Sequence, residues 1–333
     1  NIQYKDRGSY GKVFTATSKD QTIAVKVLKK TFFNEQELTT LSKVSGANSP
    51  FIIKFINFKN FGDEVYFFME YAEKGNLKDY FQSGSTKTEK DAAFMLFQLL
   101  HGLKTIQDCQ IMHRDLKPEN LMLQKVTGTD KLLLKITDFG VSRTIDKSGL
   151  AQTFVGTPYF MAPEIIDGQG KTPYTKKVES WSAGIIFFML MSRWNFPFIG
   201  SSIQDLRIKM NQPLKKPLII SDDGFDLMKS MLCLDPHKRL SLQQCLDHKF
   251  FTIVHKDVVD DVNSMLSLIG YKIEPNTSLI TQSPQKKNNS QSPQPKSPGF
   301  QSTKSKSPPN QNPIINPNIF PPPPPKPILQ LPF

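Results

Sequence analysis

The composition of the chain changes sharply near residue 270. The last 60 residues contain 16 of the 25 prolines, with four Ser-Pro pairs and an uninterrupted proline run at 321–325. Such a stretch cannot bury enough apolar surface to offset the entropy lost on ordering. We therefore expect residues 274–333 to form a disordered Pro/Ser-rich tail with local polyproline II structure, and only the residues before it to build a packed core.

Charge and cysteine content narrow the class of protein. The net charge is +12, and six lysines against Glu274 place +5 of it in the last 60 residues. No basic helix or interleaved aromatic pattern accompanies this charge, so a solvated basic surface is favoured over a specific nucleic-acid site. The three cysteines have neither metal spacing nor a disulfide framework, which is typical of an intracellular, cytoplasmic protein, with the nucleus as the alternative. The longest apolar run, Ile185–Met191, is too short to span a bilayer, so no transmembrane segment is expected.

Before the tail, the hydrophobic pattern divides the chain into two halves. Up to about residue 68, apolar and polar residues alternate as in strands, interrupted by one helical pattern at 32–44. From about residue 77 helical patterns dominate, and the pattern at 178–191 is apolar nearly all round, which predicts a central buried helix. A small sheet-rich lobe followed by a larger helical lobe is an α+β arrangement. The strand-like segments are Lys12–Thr15, Thr22–Leu28, Ile52–Phe58 and Val65–Met69.

Two local signals in the first half point to nucleotide phosphates. Gly8 and Gly11 lie three apart between strand-like segments, where backbone N–H groups could approach a phosphate; an ordinary hairpin is the alternative. Lys26 lies inside an apolar strand and needs a partner, since a buried unpaired ammonium is costly. Glu37 on the following helix is the best candidate and Glu35 the alternative, unless the lysine points to solvent from an edge strand.

A second group of polar residues lies on non-periodic segments of the helical half. Residues 113–120 read His-Arg-Asp-Leu-Lys-Pro-Glu-Asn. Asp115 could accept a proton from a hydroxyl, Lys117 could neutralise a transferring phosphoryl group, and Asn120 could bind a metal through its side-chain oxygen. Asp138 follows a strand-like segment and precedes Phe-Gly, which suits a metal ligand on a mobile loop.

In their order and approximate spacing, these motifs resemble the signature set of the eukaryotic protein kinases. The two glycines are followed by Ala-Val-Lys ending at Lys26, by the segment 113–120, by Asp-Phe-Gly at 138–140 and by Ala-Pro-Glu at 162–164. The resemblance covers residues 1–252 and implies the bilobal protein kinase fold.

The finer resemblance is to Ser/Thr kinases rather than tyrosine kinases, because Lys-Pro-Glu-Asn at 117–120 and Gly-Thr-Pro at 156–158 are typical of the former. The stretches 125–134 and 201–207 are similar to the autophagy-initiating kinases, although calmodulin-dependent-type kinases share much of this pattern. The resemblance implies transfer of the γ-phosphoryl group of ATP, with Mg²⁺, to Ser or Thr hydroxyls of protein substrates.

The resemblance also implies domain boundaries. The kinase domain would consist of an N-lobe at 1–68, a hinge at 69–76 and a C-lobe at 77–252. Residues 253–273 would be a helical extension or a linker that leads into the tail.

Catalytic roles are carried over residue by residue from the resemblance. Asp115 would be the catalytic base, and Lys117 would contact the γ-phosphate. Lys26 would hold the α and β phosphates and pair with Glu37.

The nucleotide and metal sites follow from the same resemblance. Asn120 and Asp138 would bind two Mg²⁺ ions. The residues implied for the nucleotide come from the glycine loop, the sheet, the hinge and the floor of the cleft: Gly8, Ser9, Tyr10, Gly11, Val13, Ala24, Lys26, the gatekeeper Met69, Glu70, Ala72 and Met122.

The resemblance further implies control by phosphorylation of the activation loop. Thr153 lies where the family's activating phosphothreonine falls, and Arg114 and Arg143 match the two basic partners of its phosphate. The helix position that often supplies a third basic contact is occupied by Phe33. An unmodified loop threonine at 153 is the alternative.

Two departures from the family pattern keep other functions open. Asp6 stands where the first glycine of the phosphate loop usually lies, and Glu179 stands where the family has an Asp that braces the His-Arg-Asp backbone. The alternative to an active kinase is a pseudokinase scaffold, or an adaptor acting through its Pro-rich tail. The proline-rich segment 321–327 could dock on SH3- or WW-type domains, and the Ser-Pro pairs could be sites for proline-directed kinases; a solubilising linker is the plainer interpretation.

Overall fold

The computed structural model describes most of the chain before the predicted tail. All described residues belong to the first of two compact units, Asn1–Pro284, and the second unit, Gln285–Phe333, lies outside them. The described residues are 2–7, 11–18, 21–33, 35–82, 88–139, 143–144, 158–168, 175–273 and 280–282.

The N-terminal part is an antiparallel sheet with one helix. The elements are β1 (Ile2–Arg7), β2 (Gly11–Ser18), β3 (Gln21–Lys29), helix α1 (Glu35–Gly46), β4 (Phe55–Phe61) and β5 (Glu64–Glu70). The sheet has the strand order β1-β2-β3-β5-β4, so the central strand β3 is paired on both sides. Val25 and Val27 are buried on one face of the sheet, and Leu28, Val65 and Phe67 are buried on the other.

Two predicted boundaries in this lobe are wrong. The helix predicted at 32–44 begins only at Glu35, because the ring of Phe33 packs 6.0 Å from that of Phe67 and extends the backbone before the helix. Phe33 is therefore not a helix position. The strand predicted from Ile52 begins at Phe55, because Ile53 donates its N–H to the Ile136 carbonyl at 2.9 Å and so joins the other lobe.

The C-terminal part is mainly helical and confirms the predicted bilobal α+β kinase fold. Helix α5 is its centre: every residue except Ser182 is buried, as its all-apolar pattern predicts. No helix in the described part of the chain is long and apolar enough to cross a membrane. The helices are α2 (Leu77–Gln82), α3 (Glu89–Asp108), α4 (Pro163–Asp167), α5 (Val178–Met191), α6 (Ile203–Met210), α7 (Asp222–Met231), α8 (Leu242–Leu246) and α9 (Lys256–Leu268).

Short two-stranded sheets hold the polar segments between these helices. The segment 113–120 lies between β6 (Ile111–Met112) and β7 (Leu121–Lys125), and Asp138 follows β8 (Leu132–Ile136). β7 pairs with β8, while β6 pairs with β9 (Arg143–Thr144). The segment 113–120 and Asp138 thus lie next to hydrogen-bonded strands.

The chain after α9 forms one more small sheet. Strand β10 (Tyr271–Ile273) pairs with β11 (Ile280–Gln282), which lies within the segment predicted to be disordered. The rest of that tail is outside the described residues.

Glu164, at the start of α4, forms an ion pair with the fully buried side chain of Arg239. The guanidinium of Arg239 donates two hydrogen bonds of 2.7 and 2.8 Å to the Glu164 carboxylate, and its side chain is 0% exposed. It also lies 5.1 Å from the ring centroid of Trp181 on α5. The pair therefore ties the segment around α4 to the centre of the lobe.

Removing the arginine should destabilise the domain far more than removing a surface lysine. We expect Arg239→Met to lower the free energy of unfolding by about 3 kcal/mol, since the half-buried Glu164 carboxylate loses both hydrogen bonds from its fully buried partner. Lys249→Met, which removes an exposed ion pair with Asp223, should cost much less, because solvent screens that pair. Urea unfolding of both variants tests this, and equal losses would contradict it.

Candidate active site

Lys26 reaches the cleft from the middle of the sheet. Its side chain projects from β3 between buried Val25 and Val27 and is 15% exposed. The Nζ atom lies 3.6 Å from Glu37 Oε1 on α1, so the pairing expected from the sequence is present. It lies closer, at 2.8 Å, to Asp138 Oδ1, a contact that sequence reasoning did not foresee.

The three charges of this cluster shift one another's protonation. Burial lowers the pKa of Lys26, but Asp138 and then Glu37 outweigh it, so the net pKa is raised and the lysine stays charged. Burial also raises the pKa of Asp138, and the charge of Lys26 reverses this to a net lowering. For Glu37 burial exceeds the help from the more distant Lys26, and its pKa is raised. Lys26 thus stabilises the Asp138 carboxylate more than that of Glu37.

Asp115, Lys117 and Asn120 come together on the loop after β6. Lys117 Nζ donates to Asp115 Oδ2 at 2.6 Å, and Asn120 Nδ2 donates to the Asp115 backbone carbonyl at 2.8 Å. Because the side-chain nitrogen of Asn120 donates to Asp115, its side-chain oxygen is the atom that can accept a hydrogen bond or bind a cation. The loop presents a carboxylate, an ammonium and an amide oxygen within six residues.

His113 joins this loop to the segment before Asp138. Burial lowers the pKa of His113 and keeps the ring neutral. Its Nε2 lies 2.8 Å from the Thr137 carbonyl, and its Nδ1 accepts the Asp115 N–H at 3.4 Å, which assigns the proton to Nε2. The ring of His113 also packs 5.1 Å from that of buried Phe139. The side chain of His113 therefore contacts both the backbone of Asp115 and that of Thr137, the residue before Asp138.

Two residues of the site have left-handed backbone conformations. Arg114 has φ 71° and Asp138 has φ 64°, values that residues other than glycine rarely adopt. Residues in this region persist only where surrounding bonds hold them.

The carboxylate of Glu179 accepts hydrogen bonds that hold the backbone at His113 and Arg114. Its Oε1 accepts the His113 N–H at 2.5 Å, and its Oε2 accepts the Gln107 side-chain amide at 3.1 Å. The backbone of Arg114 also bonds to this carboxylate. The extra methylene of Glu, relative to the family's Asp, thus does not prevent it from bracing the backbone. Gln107 was not identified from the sequence, where nothing distinguishes it from other residues of the helical pattern.

The nucleotide-binding candidates lie on neighbouring strands. Ala24 on β3 is flanked by Thr15 on β2 and Met69 on β5, and Val13 is paired with Lys26. A Cβ atom at Gly11 would lie 2.2 Å from the Val27 carbonyl oxygen, so this position requires glycine.

The remaining candidates from the cleft are at the hinge and on the floor. Glu70 ends β5, Ala72 is buried in the following segment, and Met122 on β7 forms a bridge with Asn76. Gly8, Ser9 and Tyr10 lie outside the described residues, as does the side chain of Asp6.

The regulatory candidates are only partly described. Thr153 is outside the described residues, whereas β9 pairs Arg143 with Met112, two residues before Arg114. The backbone at 143 therefore runs beside the start of the catalytic loop.

A second buried lysine was missed by the sequence analysis. Lys135 on β8 is 5% exposed and lies in a strand whose five residues are all buried. The signal was the one used for Lys26, a charged residue inside an apolar run.

Comparison with known proteins agrees with this arrangement. The sequence model of the protein kinase domain family matches residues 6–251. The meiosis-specific serine/threonine-protein kinase mek1 of Schizosaccharomyces pombe is 33% identical over 234 residues, 68% of this chain and 51% of the relative. The serine/threonine-protein kinase atg1 of Dictyostelium discoideum is 34% identical over 222 residues, 66% of this chain and 32% of the relative. A calcium/calmodulin-dependent protein kinase type 1 of Caenorhabditis briggsae is 33% identical over 259 residues, 74% of this chain and 70% of the relative.

The chain belongs to the protein kinase family, and its relatives make the domain one of the Ser/Thr type. The expected similarity to autophagy-type and calmodulin-dependent-type kinases is confirmed at this level. The chain spans about half of the length of mek1 and about a third of that of atg1.

Glu179 gives the domain a pH-dependent stability. Burial raises the pKa of this carboxyl from 4.5 to about 7, although its hydrogen bonds act in the opposite direction. Between those values the unfolded chain ionises first, so the free energy of unfolding should fall by about 3 kcal/mol as pH rises from 4.5 to 7. Urea unfolding across this range should show the fall in the wild type relative to Glu179→Gln, which has no such titration. Parallel curves for the two proteins would refute the assignment.

Proposed function

We propose that this protein is an active Ser/Thr kinase, which transfers the γ-phosphoryl group of ATP, used with Mg²⁺, to Ser or Thr hydroxyls of protein substrates. The observation that carries the proposal is a pair of carboxylates near buried His113, each held by a lysine. Lys26 contacts Asp138 at 2.8 Å and Lys117 contacts Asp115 at 2.6 Å. A binding scaffold needs neither arrangement, whereas phosphoryl transfer needs a base and positive charge at the phosphates.

In this proposal Asp115 is the base that accepts the proton of the substrate hydroxyl. Its backbone is held by Asn120 and His113, so the carboxylate is oriented before substrate arrives. Lys117 lies against the same carboxylate and would stabilise negative charge on the transferring group.

Asp138 and Asn120 fit Mg²⁺ as ligands. Both offer hard oxygen atoms, and the Asn120 amide nitrogen is already turned to Asp115. Among the described residues no group of three or more His, Cys, Asp or Glu side chains could hold a metal by itself. Phosphate oxygens and water would therefore complete the coordination. When bound, Mg²⁺ would neutralise the charge of the phosphates.

Lys26 would exchange partners when nucleotide binds. Its ammonium contacts Asp138 at 2.8 Å and Glu37 at 3.6 Å. With phosphates in the cleft and the charge of Asp138 neutralised, Lys26 would contact the phosphates and keep Glu37 as its partner.

Replacing single charges should separate this proposal from a pseudokinase scaffold. Asp115→Asn, Asp138→Asn and Lys26→Met should each reduce kcat/KM by roughly 100-fold or more with Mg-ATP and a peptide library, because each removes charge or positioning from the transition state. Asp130→Asn makes the same chemical change at a fully exposed site and should retain wild-type activity. Wild-type turnover by Asp115→Asn, or an inactive wild type, would favour the scaffold or the tail-driven adaptor.

We also propose that phosphorylation of Thr153 activates the enzyme. The proximity of β9 to the catalytic loop supports this, since it brings the chain at Arg143 beside the residues that lead to Arg114. A phosphate carries about −1.5 to −2 charges and would attract both guanidinium groups, ordering the loop.

Thr153→Ala should therefore lower kcat several-fold, and phosphatase treatment of the wild type should do the same. Mass spectrometry must establish the phosphorylation state of Thr153 in each sample. Thr157→Ala and Ser148→Ala identify effects of the neighbouring hydroxyls. Full activity of enzyme that carries no phosphate on Thr153 would exclude this switch.

A further inference from the structure

Lys135 makes a buried bridge behind the hinge. It lies on β8, three residues before Asp138, and its side chain is 6% exposed. Its Nζ donates to the Pro50 carbonyl at 2.9 Å and lies 3.0 Å from Glu70 Oε2. One ammonium thus joins the strand before Asp138 to Glu70 at the end of β5 and to the chain after α1.

Glu70 is held by further bonds to Lys54, the residue just before β4. Its Oε2 accepts the Lys54 N–H at 3.2 Å, and its own N–H donates to the Lys54 carbonyl at 2.9 Å. With the N–H and the carboxylate of Glu70 both fixed, these bonds set the position of its Cα and thus where the following hinge segment starts.

The base of the bridge is rigid. Ile136, next to Lys135, donates its N–H to the Phe51 carbonyl at 2.9 Å and accepts the Ile53 N–H at 2.9 Å. Lys135 therefore acts from a strand that is itself hydrogen-bonded to the segment leading into β4.

Lys135 needs the ion pair more than Glu70 does, because it is the more deeply buried of the two. Burial lowers the pKa of Lys135, and Glu70 offsets this only in part. The Glu70 side chain is 26% exposed and can be hydrated from the surface. Loss of Lys135 would therefore release Glu70 toward water instead of leaving it in place.

We propose that Lys135 is a positioning residue for the adenine end of the nucleotide: by fixing Glu70 it aims the hinge backbone at the base. This inference rests on the proposed binding of ATP. The phosphate end is served by Lys26, Asp138 and Lys117, none of which the bridge contacts directly among the bonds described above. The two ends of the ligand can therefore be tested separately.

The test uses Lys135→Met, Lys135→Arg and a control, Lys54→Met. The exposed side chain of Lys54 lines the same cavity of about 270 Å³ behind the hinge, and its backbone bonds to Glu70 survive the change. That cavity also gives a guanidinium room at position 135. Steady-state kinetics should be combined with calorimetry, using ADP as the probe for the adenine end and inorganic tripolyphosphate for the phosphate end.

Lys135→Met should raise the KM for ATP and weaken ADP binding by about fivefold, with kcat within about twofold of wild type and tripolyphosphate binding unchanged. Lys135→Arg should restore most of the ADP affinity, and Lys54→Met should match wild type. A purely structural role would weaken both probes equally. That result, or a change in kcat, up or down, at constant KM, overturns the inference.

Two further outcomes are decided in advance. If Lys135→Met does not fold, Glu70→Gln replaces it: the ion pair is lost while an acceptor remains, and ADP binding should weaken about twofold to threefold. Unchanged ADP affinity in that variant overturns the inference. A wild type that binds ADP without transferring phosphate refutes the proposed activity but leaves the calorimetric test in force, whereas a wild type that binds no ADP refutes both.

Discussion

The conformation of the loop at 113–120 depends on hydrogen bonds to the carboxylate of Glu179. It lies in the first turn of α5, the most buried helix of the large lobe, and reaches the backbone of the loop at His113. The left-handed conformation of Arg114 costs backbone energy, and bonds from the adjacent residues must maintain it. A carboxylate in the core is itself unfavourable, as its raised pKa records. Burial of this carboxylate is therefore unfavourable by itself, but its hydrogen bonds fix the backbone of the loop at 113–120.

The two lobes contribute different residues to the site. The large lobe sets Asp115 and Asn120 by bonds that start from α5 and His113, all local to that lobe. The small lobe contributes Lys26, whose ammonium lies at the end of a flexible stem that projects from the sheet, and its partner Glu37 on α1. Because Asp138 is the residue that Lys26 contacts most closely, the state of the interlobe contact depends on what occupies that carboxylate.

The sequence was sufficient for the parts that depend on local pattern. The alternation around β3 and the apolar helix α5 predicted both elements, and burial of Lys26 predicted its pairing with Glu37. The errors have a common cause in contacts distant along the chain. Ile53 bonds to β8, some eighty residues later, and Phe33 packs on β5, so neither follows its local pattern. The roles of the site residues stay predictions, because they depend on bound nucleotide and substrate.

Lys26 and Lys135 are both buried lysines, and each forms an ion pair that connects the two lobes. Each is an ammonium inside an apolar strand, and each is stabilised by a carboxylate from another element. Lys26 on β3 contacts Asp138, three residues beyond Lys135, and Lys135 contacts Glu70 on β5, which pairs with β3. The two lobes are therefore joined by two ion pairs on opposite sides of one set of hydrogen-bonded strands. Because the two ion pairs share no residue, loss of the contact between Lys26 and Asp138 would leave the pair of Lys135 and Glu70 in place.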